Sequence, residues 1–323
     1  MKALLSFALL LSLLSGATAQ ERVARVGYLS WEDAGGHYEA TSSAFVDGLR
    51  SEGFVEGKNL QLLRRSASND PDKFKPLARE LAASKVDVFF APATPMASAA
   101  WFAAKETPIV IATILDPVAL KFIDSLGRPG TRVTGVTTMN DELTAKRMQL
   151  LAERVPGLKR VGVVIDEVMY RACKQEIEYD EKAAKALGLT LVMVHIDRAE
   201  NLDAGFRKLI DARVQAVFST MMSTRNNLNE EYAAAALKHG LPSMFGLEYG
   251  VEQGGLMSYG PDFPAIFRRA GQYTGRILKG GKPAEMAVEQ PREFQLVLNM
   301  KTARALGITV PYAIRLRADK VIE

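Results

Sequence analysis

Cysteine is almost missing. One residue, Cys173, in a chain of 323 excludes an intramolecular disulfide framework, an iron–sulfur cluster and a cysteine-rich zinc module. Histidine is scarce as well: His37, His195 and His239 leave little material for a His-rich metal site. Glycine and proline, 25 and 14 residues, are too few for a collagen-like or low-complexity chain. Beyond the N-terminus no apolar run approaches the ~20 residues that span a bilayer. The common site signatures are absent too: no G-x-x-x-x-G-K-[ST], no G-x-G-x-x-G, no H-E-x-x-H, no C-x-x-C and no G-x-S-x-G. No metal or cofactor is expected, and the case for catalysis is weakened.

What is present describes an ordinary globular protein, 48% hydrophobic and 24% charged, long enough for two domains. The net charge is only +4. Basic residues are interleaved with acidic ones, as in Asp72-Lys73 and from Glu178 to Lys182. They read as solvated helix faces, and no nucleic-acid partner is expected. The N-terminus reads as an export signal covering residues 1–19. Lys2 starts it, Leu4 to Leu14 is its apolar stretch, and Ala17-Thr18-Ala19 is the cleavage site. No cysteine follows that site, so a lipid anchor is not expected. The mature protein is expected in the periplasm, where Cys173 would be buried and inert.

From Val23 onward, short β-branched runs alternate with helical patterns. Arg25 to Ser30, Asn59 to Leu63, Val86 to Phe90, Ile109 to Ile114 and Val133 to Val136 read as strands in the first half. Val161 to Ile165, Leu191 to Val194, Ala216 to Ser219, Pro242 to Phe245 and Leu256 to Tyr259 repeat the scheme. The helices between them include Thr41 to Ser51, Met96 to Glu106, Glu142 to Val155, Glu176 to Leu187, Leu202 to Asp211 and Asn229 to Lys238. A further helix, Phe263 to Leu278, a strand, Phe294 to Leu298, and a short helix, Met300 to Leu306, close the chain. Strands alternating with helices imply a mainly parallel sheet. Ten strands are more economically held in two sheets than in one. A shift of 128 residues aligns Phe74, Leu81, Val86 and Phe90 with Leu202, Leu209, Val214 and Phe218. This is either a true internal echo or the common look of buried βα units.

In open α/β sheets, ligands bind beyond the strand C-termini. There the chain places Ser30-Trp31, Thr94, Asp116-Pro117, Tyr170, Thr220 and Glu248-Tyr249. Thr94 lies just before a helix, where free N–H groups suit a carboxylate. Asp116 suits an ammonium group, Thr220 and Glu248 could donate or accept, and Trp31, Tyr170 and Tyr249 could stack on a flat solute. The alternative is that Thr94 and Asp116 only cap helices and Trp31 only anchors a loop. His37 lies in a polar, loop-like stretch from Glu32 to Tyr38, and His239 lies at a helix end, where a cation complements the dipole.

Gly254-Gly255-Leu256-Met257-Ser258-Tyr259-Gly260-Pro261-Asp262 carries a specific resemblance. Arg268-Arg269-Ala270, Lys282-Pro283-Ala284, Val288-Glu289-Gln290-Pro291 and Leu316-Arg317-Ala318-Asp319 extend it, as do the earlier Gly27-Tyr28-Leu29 and Asp116-Pro117-Val118. On these segments the chain resembles the solute-binding proteins of ABC importers, of the tryptophan- and tyrosine-binding type. That resemblance implies a type I periplasmic binding fold: two Rossmann-like, doubly wound α/β lobes with a cleft between them. It implies a first lobe of residues 20–138 and 260–288 and a second of 139–259 and 289–323. Crossings fall near Thr138, Tyr259 and Glu289. It also implies a monomer that closes around a small organic solute, an amino acid or an aromatic or carboxylate compound, and delivers it to an inner-membrane ABC permease without chemistry. Three loops depart from the family pattern: residues 31–38, 166–171 and 221–225. An exported enzyme or a ligand-presenting sensor subunit on the same scaffold are the alternatives. A repressor would need a helix-turn-helix where the export signal stands.

Overall fold

The computed structural model describes residues 22–33, 36–114, 116–138, 140–219 and 228–323. The export signal, Thr220 and the 221–225 loop lie outside these residues. The Cys173 side chain does as well.

The apolar runs of the first half are buried without alternation, as strands covered on both faces must be. β1 (Ala24–Ser30), β2 (Leu60–Ser66), β3 (Val88–Phe90), β4 (Ile109–Ile114) and β5 (Val133–Thr137) form one sheet in the order β2-β1-β3-β4-β5. All of its pairs are parallel. One face carries α1 (Gly36–Ser51), whose Phe45 and Leu49 pack on Tyr28 and Phe90. The other carries α2 (Phe74–Ala83) and α3 (Thr94–Ala103) through Phe74, Leu81 and Met96.

The chain then enters a second sheet. Its helices are α4 (Asn140–Ala152), α5 (Glu167–Ala186), α6 (Leu202–Asp211), α7 (Asn229–Lys238) and α8 (Glu248–Glu252). Its strands are β6 (Arg160–Asp166), β7 (Thr190–Ile196), β8 (Ala216–Ser219), β9 (Ser243–Phe245) and β10 (Met257–Pro261). After β10, α9 (Phe263–Leu278) returns to the first sheet. It is capped by Asp262, whose Oδ1 accepts from Ala265 N at 2.9 Å, and it buries Phe263, Ile266 and Phe267 beside Phe45 and Phe90. β11 (Phe294–Asn299) then joins β10 antiparallel. The chain ends through α10 (Met300–Ala305), α11 (Tyr312–Arg315) and β12 (Lys320–Ile322), which pairs with β11. The second sheet therefore runs β7-β6-β8-β9-β10-β11-β12.

Each sheet begins with the same five-strand order. The 128-residue echo extends to detail: α2 starts at 74 and ends at 83, α6 starts at 202 and ends at 211. After each helix a basic residue sits at positive φ, Lys85 at 52° and Arg213 at 56°. A buried valine then leads into β3 or β8 in turn (Val86 and Val214).

Several boundaries differ from the sequence reading. α5 starts at Glu167, nine residues before the expected Glu176, because Asp166 caps it by accepting from Val168 N at 2.8 Å. α1 begins at Gly36, so His37 lies in a helix and not in a loop. α8, α11 and β12, of five, four and three residues, are too short to show a period and were not anticipated.

α1 and α9 approach closely because two glycines meet there. A Cβ at Gly48 would stand 2.0 Å from the Arg268 carbonyl oxygen, and one at Gly271 would stand 2.1 Å from that of Phe45. These obstacles are backbone and cannot step aside. Gly48→Ala or Gly271→Ala should therefore destabilise the protein by about 1–3 kcal/mol, the usual cost of overpacking. Gly127→Ala meets nothing within 4 Å and should be near neutral. Urea unfolding of the three variants checks this, and equal midpoints would refute the close-packing account.

Candidate functional site

Parallel strands send all their C-termini to one edge, so each sheet presents one functional rim. Three observations put the two rims together. α3, which follows β3, touches α5, which follows β6. Leu247, just after β9, packs on the first unit's Tyr28 and Phe45 core. The Tyr249 hydroxyl is pushed above its ordinary pKa first by burial and then by the charge of Glu32, which belongs to the first unit.

On the first rim, Ser30 is buried at the end of β1. Its Oγ donates toward the carbonyls of Glu32 (3.1 Å) and Arg65 (3.4 Å). Trp31 stands edge-on to Phe74, with ring centroids 4.9 Å apart, and its carbonyl accepts from Asn69 N at 2.8 Å. It anchors the loop as well as reaching the rim. Asp116 Oδ1 accepts from Val118 N (3.1 Å) and Ala119 N (2.8 Å), so this carboxylate holds a turn. Pro117 is buried, and its carbonyl accepts from Phe122 N at 2.9 Å. Thr94 is half-buried at the first position of α3. Ala93 precedes it and supplies no side-chain cap, and the first turn holds no acidic residue. This N-terminus keeps its dipole charge of roughly +0.5 open to an anion.

On the second rim the helix that α3 touches, α5, is already neutralised. Asp166, fully buried, caps α5, and Glu167 lies in its first turn. Glu167 Oε1 meets His195 Nδ1 at 2.6 Å, and Tyr170 stands edge-on to that imidazole with centroids 5.0 Å apart. Glu248 is turned away to pair with Lys320, which also holds Glu252 at 2.7 Å. The structure therefore brings Trp31, Thr94, Tyr170 and Tyr249 to facing rims and assigns Asp116 and Glu248 structural partners. Glu32 and Glu167 lie in the 31–38 and 166–171 loops that depart from the family pattern but were not singled out as contacts, and His195 was not placed on the rim. An acidic pair closing a strand, Asp166-Glu167, was the available signal for a helix start. Among the described residues no group of three or more His, Cys, Asp or Glu is arranged to hold a metal ion.

Comparison with known proteins agrees with this geometry. A family model described as ABC transporter substrate binding protein matches residues 35–322. A tyrosine-binding protein of Clostridioides difficile (strain R20291) is 23% identical over 284 residues, covering 88% of this chain and 79% of that one. The crystal structure of a conserved domain protein from Vibrio cholerae superposes with a TM-score of 0.84 at 28% identity, over 93% of this chain and 100% of the other. The structure of an ABC domain in complex with L-Trp from Streptococcus pneumoniae gives 0.83 at 24% identity, over 93% and 99%.

Behind the second rim lies a buried charge. Arg147 of α4 is 1% exposed. Its Nε donates to the Tyr259 carbonyl at 2.6 Å and its Nη2 to that of Gly246 at 3.2 Å, which ties the middle of β10 to the end of β9. Asp180 of α5 accepts from the Thr144 hydroxyl at 3.2 Å. Burial outweighs that bond and the Arg147 charge, and pushes the Asp180 carboxyl up to about 7. The folded protein thus keeps a proton that the unfolded chain releases near pH ~4. Stability from this group is lost as pH rises between ~4 and ~7 and is then constant. Asp180→Asn should leave stability unchanged near pH 4 and raise it above pH 7, by on the order of 2–4 kcal/mol. Urea unfolding across that range checks it, and a pH-independent difference would count against a buried, protonated Asp180.

Proposed function

The chain belongs to the ABC transporter substrate-binding protein family, and from that premise we propose that it captures a small zwitterionic solute, first of all an aromatic α-amino acid, between two lobes. Members of this family bind small-molecule solutes and work with a permease. Delivery of the solute, unaltered, to an inner-membrane permease is the role proposed for this chain. On the same reading it is exported by residues 1–19, which are removed, and acts in the periplasm as a monomer. No helix among the described residues is long and apolar enough to cross a membrane.

One observation carries the solute class: α3 and α5, which touch across the two units, have unequal N-termini. The α3 end, at Thr94, has neither cap nor acid, while the α5 end carries Asp166 and Glu167. A carboxylate gains at the first and an ammonium group at the second. Trp31, Tyr170 and Tyr249 supply flat apolar surface between these poles. The relatives named for tyrosine binding and complexed with L-Trp point the same way. The lobes, residues 20–138 with 260–288 and 139–259 with 289–323, close about crossings near Thr138, Tyr259 and Glu289. Closure removes the solute from water and pairs both its ends at once.

The test is thermal unfolding of the purified protein with L-tryptophan and L-tyrosine, against tryptamine and indole-3-propionate. A zwitterion at about a hundredfold its Kd should raise Tm by roughly 4 °C, and the analogues lacking one pole should not. Mass spectrometry should recover the solute unchanged. Equal shifts with all four compounds would remove the two-pole reading, and turnover would remove the receptor reading.

A further inference from the structure

The third crossing is fastened to the first lobe up to one residue and no further. Thr134 Oγ1 donates to the Met286 carbonyl at 2.6 Å, and the Tyr273 hydroxyl donates to that of Ala287 at 2.6 Å. Val288 is buried against the core beneath α2 and α3, and its N–H reaches Leu126 O at 2.7 Å. Glu289 pairs with the end of β5 in both directions: its N–H donates to Gly135 O, and its carbonyl accepts from Thr137 N, each at 2.9 Å. The first and third crossings therefore run side by side as a short ribbon. Past Glu289 the ribbon stops: residues 290–293 are paired with no strand of the first sheet, and Pro291 lacks an N–H with which to extend it.

The Glu289 side chain is held as well. Arg269 on α9 meets it with two prongs, Nε to Oε2 at 2.7 Å and Nη2 to Oε1 at 2.6 Å. Arg269 is itself oriented by Gln272 Oε1 at 2.7 Å and by the Tyr273 ring, 5.3 Å away. A two-pronged guanidinium–carboxylate pair fixes direction as well as distance. Both partners sit in segments that carry the family resemblance.

We propose that the Arg269–Glu289 pair is the pivot clamp of lobe closure. It holds the third crossing on the first lobe and confines bending to residues 290–293. This rests on the reading that the lobes close on a solute. The clamp makes Arg269 and Glu289 positioning residues: they limit the orientations the open form can sample, and so reduce the cost of closing. The pair is about one-third exposed on each side, at 33% and 40%, so its loss should change global stability little.

The experiment measures inter-lobe distances by electron–electron resonance, with spin labels at Lys75→Cys and Lys208→Cys on a Cys173→Ser background. Glu289→Gln and Arg269→Lys are compared with the parent, with and without L-tryptophan. Without solute, both variants should broaden the distance distribution while Tm stays within a few degrees. Affinity for L-tryptophan should fall about 3- to 10-fold. The exchanged pair Arg269→Glu with Glu289→Arg should narrow the distribution again. Solute-free distributions that coincide with the parent's, in variants that melt normally, would overturn the clamp. If L-tryptophan leaves the parent unmoved while the variants still broaden, the clamp stands and the aromatic-solute reading fails.

Discussion

All strands of the first sheet, and all but one pairing of the second, are parallel, and this single constraint organises the molecule. A parallel strand can return to the same edge only through a crossover, so every strand C-terminus and the helix N-termini that follow gather on one rim. The rim concentrates free N–H groups and irregular backbone where a ligand can use them. One such rim is a shallow surface. Two rims facing each other become an enclosure, and the chain builds the second by repeating the strand order of the first. The echo between α2–β3 and α6–β8, down to the matching left-handed residues Lys85 and Arg213, shows how literal the repetition is.

Two rims are useful only if the connections between them are defined, and here two arginines do different work. Arg147 is buried and spends its donors on the carbonyls of Gly246 and Tyr259. A guanidinium suits this place because it stays charged in an apolar setting and its fork reaches two strands at once. Arg269 is partly exposed and meets a carboxylate instead. Water competes for that pair, so it contributes orientation more than stability. The second lobe's rim is thus stiffened from inside, while the first lobe grips the crossing from outside.

Local order was legible in the sequence wherever a period could run its length. α6, α7, α9 and β4 have the bounds read from the sequence: the helices are long enough to bury one face, and β4 is an apolar run buried on both. The start of α5 was lost because 166–171 reads as a polar loop. The same residues, Asp166 capping and Glu167 in the first turn, are what a helix N-terminus uses. The rim chemistry was legible as residue types but not as partners. Glu248 is taken by Lys320, 72 residues away, and Glu32 acts on Tyr249 from the other unit. Such pairings depend on which strand ends are brought together, which no local spacing encodes. Asp116 illustrates the reverse: it carries the family resemblance best among the rim residues, yet its Oδ1 serves two backbone donors of its own turn.

The charge pattern across the gap follows from those assignments. A carboxylate that caps a helix is not available as a free anion site; it cancels the field that would have drawn an anion there. Asp166 does this for α5, and Glu167 adds a second negative group whose neighbour is His195. Nothing equivalent stands at α3, where Ala93 occupies the capping position and Pro95 removes one donor without adding charge. Two helices that follow different strands of their sheets, yet touch across the two units, therefore differ in sign at their N-termini. A guest with charge at one end only would gain at one wall and lose desolvation energy at the other. On the proposed reading, a guest carrying both charges satisfies both walls. The asymmetry comes from a few capping positions, and under that reading it is what would distinguish the two ends of a small molecule.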